Sequence, residues 1–373
     1  MKWVFWLSAA LILYAYLGYP VWLWLRSRWR RKPVQRESIT PAVSVVMVVR
    51  NEEAALPIKL RNLTALDYPR DWMEILVVSD GSQDGTERIL QDWTQCGEIR
   101  SILLPENSGK AIGLNHAIPE ARGEVVLFTD VRQVVDSGAI RLLMENFADP
   151  AVGCASGELM LGSPEDGESS RGMGLYWRVE KKVREMESAS GSTIGATGAL
   201  YAARRTLLTE LPADLILDDV FLPMGVLRQG FRVVFDPRAK AWDQPDLGSG
   251  REFWRKVRTL SGNYQLVQVA PWLLSGQNPL LWDFVSHKLL RLFVPFALAG
   301  VLLSSAWIGG PFYKACLAAQ LCFYALSLLA GMRARLGVVS RVADAALTFV
   351  VLNMAALVAF RNFVLGRKTV WSR

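Results

Sequence analysis

The chain has 373 residues, a net charge of +7 and 51% hydrophobic residues, with a mean hydropathy of +0.20, which suits one large domain plus a membrane section better than a wholly soluble enzyme. Four cysteines (Cys96, Cys154, Cys316, Cys322) show no metal-ligand spacing and fit a reducing compartment, while two histidines, His116 and His287, leave little material for a histidine metal site or a Ser-His-Asp triad. The basic excess is mostly arginine beside apolar runs, which attraction to anionic lipid explains more simply than nucleic acid does.

Trp3–Leu25 carries no charge and is long enough to cross a bilayer. Arg26, Arg28, Arg30, Arg31 and Lys32 follow at once, so the positive-inside tendency puts the next segment in the cytoplasm. A cleaved signal peptide carries its basic residues ahead of a shorter apolar run, so a signal anchor is expected.

From Pro41 to Met160 strand-like and helix-like runs alternate. Val43–Val49 is a continuous β-branched run, as a strand buried on both faces should be. Ala55–Leu66 has helical spacing through Leu56, Leu60 and Leu63. Strands are then expected at Glu74–Ser79, Ser101–Leu104 and Glu124–Thr129, and helices at Thr86–Trp93 and Lys110–Ile118, the latter ended by Pro119. This rhythm predicts an α/β domain with a mostly parallel sheet covered by helices.

Beyond it come a polar Gly/Ser/Glu-rich loop (Gly162–Gly174), a long polar helix (Met173–Met186), a Gly/Ser/Thr-rich stretch (Ser190–Gly198), a helix (Asp218–Gln229) and a strand (Phe231–Phe235). Phe253, Trp254, Val257, Leu260 and Tyr264 recur at helical spacing among Arg251, Arg255, Lys256 and Arg258, the pattern of a helix lying on a membrane surface. Pro279–Leu290 reads as another. Leu292–Tyr313 and Ala315–Gly331, split by Lys314, predict a membrane hairpin returned to the basic side by Arg333, Arg335 and Arg341. The shorter run Ala345–Phe360 either spans or re-enters; a full crossing would place Arg361, Arg367, Lys368 and Arg373 against the positive-inside tendency. The division is an anchor with its basic flank (1–32), a catalytic domain (33–250), interfacial helices (251–290) and a C-terminal membrane region (291–373).

Several motifs carry chemistry. Arg50-Asn51-Glu52-Glu53 closes the first strand and reads either as a capped helix start or as a polar site. Asp80 and Asp130 each end an apolar run, and in open α/β sheets ligands bind at the carboxyl ends of strands. A plain turn explains Gly81, Asp84, Gly85 and Thr86 but not the recurrence at Asp130. Hard cations such as Mg²⁺ bind through one or two carboxylates plus substrate phosphates, so Asp130 is a candidate metal ligand and Arg132 a neutralising charge; a surface turn with an ion pair is the bland alternative. Lys110 near a helix start suits a phosphate. Asp218-Asp219 favours a helix start, and adjacent carboxylates also raise one pKa, as a general base needs.

Together these pieces resemble the membrane-embedded family 2 glycosyltransferases, the group that includes cellulose, hyaluronan and poly-N-acetylglucosamine synthases and ceramide glucosyltransferase. The resemblance runs from about Ser44 to Gln265 and extends to the flanking spans. It implies the GT-A fold, a nucleotide-sugar-binding, Rossmann-like α/β sheet. Arg50, Asn51 and Glu52 are similar to the nucleotide-binding strand end, and Asp80 to the first aspartate, which binds the nucleotide. Lys110 and Asn115 in Gly-Lys-Ala-Ile-Gly-Leu-Asn resemble a donor-contacting motif, and Asp130 the first acid of the metal-binding Asp-x-Asp. Thr197 and Gly198 lie in what looks like the acceptor-side loop. Asp219, preceded by Asp218, is similar to the catalytic base, and Arg255 and Arg258 to the (Gln/Arg)-x-x-Arg-Trp arginines. Two departures stand out. Arg132 occupies the second acid's position, weakening the expected Mg²⁺ or Mn²⁺ site. Thr259 occupies the tryptophan's, removing an aromatic platform for a long polysaccharide.

The implied activity is inverting transfer from a nucleotide-diphosphate sugar to a growing exopolysaccharide or cell-surface glycan, at the cytoplasmic face of a multi-pass protein of the inner (plasma) membrane. Single transfer to a membrane lipid is the alternative acceptor, and a non-catalytic membrane scaffold the alternative class. The expected partners are donor, glycan or lipid acceptor and bilayer, without nucleic acid.

Overall fold

The computed structural model describes residues 1–162, 175–243, 249–330 and 338–367. The stretch 163–174, and Arg333, Arg335, Lys368 and Arg373 with it, lie outside the described residues. The strands are β1 (Val43–Val49), β2 (Met73–Asp80), β3 (Arg100–Leu104), β4 (Val125–Phe128), β5 (Val134–Val135), β6 (Val152–Leu161), β7 (Tyr201–Arg204) and β8 (Arg232–Asp243). They form one sheet in the order β3-β2-β1-β4-β7-β6-β8-β5. β1 pairs in parallel with β2 and β4, and β2 with β3, whereas β7 runs antiparallel between β4 and β6.

All seven residues of β1 are buried, because helices cover both faces. Val45, Met47 and Val49 enter one core with Leu56, Leu60 and Leu63 of helix Leu56–Thr64. Val46 and Val48 enter the other with Ala111, Leu114 and Ala117 of helix Lys110–Glu120. Each buried leucine contributes roughly 1.5–3 kcal/mol by leaving water. Register then decides where function sits: Val49 lies beside Ser79 and Val46 beside Phe128, so Arg50, Asp80 and Asp130 emerge at one edge of the sheet. The expected α/β GT-A arrangement is present.

β5, β6 and β7 had no signal in the sequence. β6 reads Val-Gly-Cys-Ala-Ser-Gly-Glu-Leu-Met-Leu, without alternation. Its glycine serves packing: a Cβ on Gly153 would lie 2.5 Å from Val226 Cγ1 and 2.7 Å from Leu207 Cδ1. β8 was expected at Phe231–Phe235 but continues to Asp243, past Pro237, because the register with β6 shifts between Ser156/Phe235 and Glu158/Lys240. Such a bulge is where a strand accommodates proline. Pro119, expected to end its helix, sits inside the last turn before Glu120.

Among the described residues three helices are long and apolar enough to cross a membrane: Lys2–Trp29, Leu281–Ile308 and Val342–Val364. The stretch 279–290 does not form a separate surface helix, since Leu281 opens the helical run that continues to Ile308. Helix Pro311–Leu328 stands beside them, with Tyr313 against Phe5 at a 5.0 Å ring separation. The 21-residue helix Ser249–Val269 lies along the last of the three, Tyr264 stacking on Phe363 at 4.9 Å.

Candidate active site

The parallel strands end in loops that brace one another. Asn51 takes a positive φ of 52°, its backbone N–H donating to Ser82 Oγ at 3.1 Å while its Oδ1 accepts from Gln83 N at 2.8 Å. Glu52 N–H donates to Thr86 Oγ1 at 2.9 Å. Asn51 and the Glu52 backbone therefore tie the β1 end to the β2 end. Asp80 is fully buried and accepts from Ser108 N at 2.7 Å and Gly109 N at 3.0 Å. It shapes the loop that leads into the Lys110 helix. Gly81, at φ +59°, is required there, since a Cβ would lie 2.4 Å from the Glu106 carbonyl carbon. Arg50 Nε is buried with no hydrogen-bond partner among the described residues.

Lys110 is the centre of charge. Its Nζ lies 3.0 Å from Asp130 Oδ1 and 3.1 Å from Asp218 Oδ2, with the side chain 15% exposed. Burial alone would lower its pKa, but Asp130, Asp218 and Asp219 outweigh it and hold the ammonium well above the usual lysine range. Asp219 is fixed by Gly198 N–H donating to its Oδ2 at 3.1 Å. Burial first, and then the charge of Asp218, raise Asp219 to about 6, against the pull of Lys288, Lys110 and Arg184. A Cβ on Gly198 would meet Asp219 Oδ2 at 3.4 Å and Asp130 Oδ2 at 3.8 Å, so both carboxylates face the space this glycine leaves open. Thr197 N–H donates to Ser156 Oγ at 3.0 Å, setting that loop on β6.

Residues distant in sequence thus meet: Lys110, Asp130, Asp218, Asp219 and Gly198 form one cluster. Arg258 faces the charges of all three aspartates. Next to them lies a cavity of about 510 Å³, lined by Ser108, Gly109, Lys110, Leu215, Arg258 and Gln265, and by Asn362, Phe363 and Arg367 from the end of the last helix. Two expected donor-binding residues sit differently. Asn115 spends both ends of its amide on Leu211, donating to its O and accepting from its N, each at 2.8 Å. Arg255 pairs with Glu252 one turn away at 3.0 Å, half-exposed. Arg132 is exposed.

Lys59 gave no sequence signal. It is 2% exposed, and its Nζ donates to Thr129 Oγ1 at 2.9 Å and to Gln133 O, holding both sides of the Asp130 turn. Burial pushes its ammonium down to about 7, opposed by the Asp130 charge. As a lysine within a helical pattern it reads as a solvated side chain, and only the fold shows it beneath β4. Lys59→Met is expected to lower turnover by about tenfold or more through displacement of Asp130, with circular dichroism unchanged. A wild-type rate would reduce Lys59 to packing.

A divalent cation fits the donor set only with substrate present. Among the described residues no group of three or more His, Cys, Asp or Glu side chains is placed to hold a metal. Mg²⁺ and its relatives nevertheless need just one or two carboxylates when phosphates supply the rest, and Asp130 Oδ2 points into the open space at Gly198.

Comparison with known proteins bears on the fold and family. Residues 44–211 match the family described as Glycosyl transferase family 2. Poly-beta-1,6-N-acetyl-D-glucosamine synthase of Staphylococcus aureus (strain COL) is 24% identical over 271 residues, covering 70% of this chain and 61% of that protein. The corresponding Staphylococcus epidermidis protein is 24% identical over 234 residues, 60% of this chain and 55% of its own. The chain therefore spans about three fifths of the curated relatives it matches. The mannosyltransferase PcManGT from Pyrobaculum calidifontis, solved with GDP-Man and Mn²⁺, superposes with a TM-score of 0.73 at 24% identity over 98% of this chain and 99% of that one, showing a shared fold across both the sheet domain and the apolar helices.

Proposed function

We propose, for a chain whose residues 44–211 form a family 2 glycosyltransferase domain, that it is an inverting glycosyltransferase using a nucleotide-diphosphate sugar. The observation that carries this reading is the meeting of Asp130 and the Asp218–Asp219 pair around Lys110 and Gly198, where Lys110 lines the cavity. In the proposed step Asp219 accepts the proton of an acceptor hydroxyl, whose oxygen bonds the anomeric carbon from the face opposite the donor. The bond from that carbon to the diphosphate breaks, and its electron pair leaves with the nucleoside diphosphate. Lys110 and Arg258 offset the charge that develops on the leaving group. Arg50, with its unpartnered Nε, is placed to meet the donor at the β1 end. Asp80 and Asn51 hold the loops that form that pocket, and Glu52 contributes through its backbone. Asn115 positions the Leu211 segment. Thr197 and Gly198 form the acceptor-side wall.

Asp130 would hold Mg²⁺ or Mn²⁺ together with the donor diphosphate, and such an ion supplies charge neutralisation at the leaving group. The acceptor assigned first is a growing exopolysaccharide or cell-surface glycan, as the name of the Staphylococcus relatives suggests. Transfer to a membrane lipid is the second reading, favoured by the cavity wall that the last apolar helix provides. The chain is a membrane protein by its three apolar helices. Its proposed setting is the inner (plasma) membrane with residues 33–250 cytoplasmic, because Arg26–Lys32 follow the first helix.

Arg258→Ala is expected to weaken nucleoside-diphosphate binding by about tenfold or more, since charge-assisted bonds to phosphate are the strong ones. Calorimetry that shows unchanged affinity removes Arg258 from the donor site. A panel of nucleotide sugars assayed for diphosphate release, with and without added metal, tests the reading as a whole.

A further inference from the structure

Helix Leu175–Ser190 is clasped at its end by two of the apolar helices, Lys2–Trp29 and Leu281–Ile308. Glu187, fully buried in its last turn, accepts from Tyr19 Oη at 2.8 Å through Oε1, and the same oxygen lies 2.7 Å from His287 Nδ1. The other nitrogen of that ring, Nε2, lies 2.9 Å from Glu180 Oε1, about two turns back along the helix. Arg291 Nη1 donates to Glu180 Oε2 at 2.8 Å. Tyr19 Oη also lies 3.1 Å from Asp283 Oδ1, and Arg26 donates to Asp283 at 2.8 Å and to Ser190 Oγ at 3.1 Å. Lys32 N–H donates to Ala189 O at 2.9 Å, so the basic flank of the first helix grips the same end.

None of these groups belongs to the catalytic cluster. A buried ion network adds little net stability over well-packed apolar residues, and ionisable groups in membrane helices are costly. What such groups fix instead is which surfaces meet and in what register. The segment held in this way leads straight to the proposed base. Ser192 Oγ accepts from Val233 N at 3.2 Å and Thr193 N donates to Val233 O at 2.9 Å, which ties it to β8. Ala196 N then donates to Asp219 O at 2.7 Å, and Gly198 N to Asp219 Oδ2 at 3.1 Å. The chain from Glu187 to Gly198 therefore runs from the membrane helices to the backbone and the carboxylate of Asp219.

The geometry points to a positioning role for Tyr19 and His287: through Glu187 they set the loop that orients Asp219, so the membrane helices align the base for transfer. The inference rests on the glycosyl-transfer reading and adds to it two residues that lie outside the matched family segment 44–211. Alignment of this kind matters, since a misplacement of about 1 Å can cost about 10²-fold in rate.

The test follows amide hydrogen exchange by mass spectrometry in the purified full-length protein in dodecyl maltoside. In His287→Leu, which keeps bulk and severs both glutamates, the peptide spanning 192–198 is expected to exchange about tenfold faster or more, while Val43–Val49 keeps its wild-type protection. Tyr19→Phe moves the same peptide by less, and His287→Gln, which keeps an N–H donor, restores most of the protection. Turnover, read as nucleoside-diphosphate release, falls by about tenfold or more in His287→Leu, with nucleoside-diphosphate affinity unchanged by calorimetry. Wild-type protection of 192–198 in His287→Leu, or no recovery in His287→Gln, overturns the clasp. Faster exchange in Val43–Val49 as well, or an equal fall in affinity, shows a general loosening and overturns it too. Faster exchange at 192–198 with an undiminished rate overturns the link to Asp219. No release from any donor by the wild type overturns the glycosyl-transfer reading instead, and the exchange result still decides the clasp.

Discussion

Asp219→Asn is expected to reduce glycosyl transfer by at least about 10²–10⁴-fold, the contribution of a positioned general base, while nucleoside-diphosphate affinity stays close to wild type. The substitution keeps the shape of the side chain, so the Gly198 N–H can still donate to its oxygen. What it removes is the proton acceptor. Diphosphate release gives the rate and calorimetry the affinity; a variant with undiminished release would reassign the base. The wild-type rate has a pH signature as well. Burial and Asp218 hold Asp219 at about 6, and only its ionised form accepts a proton. Activity is therefore full above that value and lost as pH falls through it.

Lys110→Met should be the second most damaging change. Lys110 is the one side chain whose Nζ lies within 3.1 Å of both Asp130 and Asp218 among the described residues. Without it three carboxylates face one another with their nearest cation gone; breaking a buried pair typically costs about 3–5 kcal/mol. Donor affinity and turnover both fall, together by about 100-fold or more. Because Lys110 pulls the Asp219 pKa down, its removal moves the acid limb of the rate profile to higher pH. A limb left in place would mean that Lys110 has no electrostatic hold on the base.

The parallel half of the sheet was legible in the sequence because β1, β2 and β4 are buried on both faces and are therefore mostly apolar. Asp80 and Asp130 stood out for the same reason, as the first ionisable groups after such runs. β6 was hidden by glycine and serine where side chains pack too closely for anything larger, and β8 was legible only to Phe235, its continuation masked by Pro237 in a bulge. Lys59 escaped a reading of pattern, and so did the partner of Asn115. A buried lysine looks like any helical lysine, and Asn115 sits within a motif yet spends its amide on Leu211, 96 residues away. The charged cluster around His287 escaped because its members come from three helices that meet only in the folded chain.

Asn362, Phe363 and Arg367 make the last apolar helix one wall of the cavity that Lys110 and Arg258 also line. A fragment trimmed to the sheet domain would keep its acids but lose one side of that cavity. Detergents that loosen the Tyr264–Phe363 stack would reshape that cavity without touching a single charged group. Enzyme kinetics would in that way report bilayer integrity.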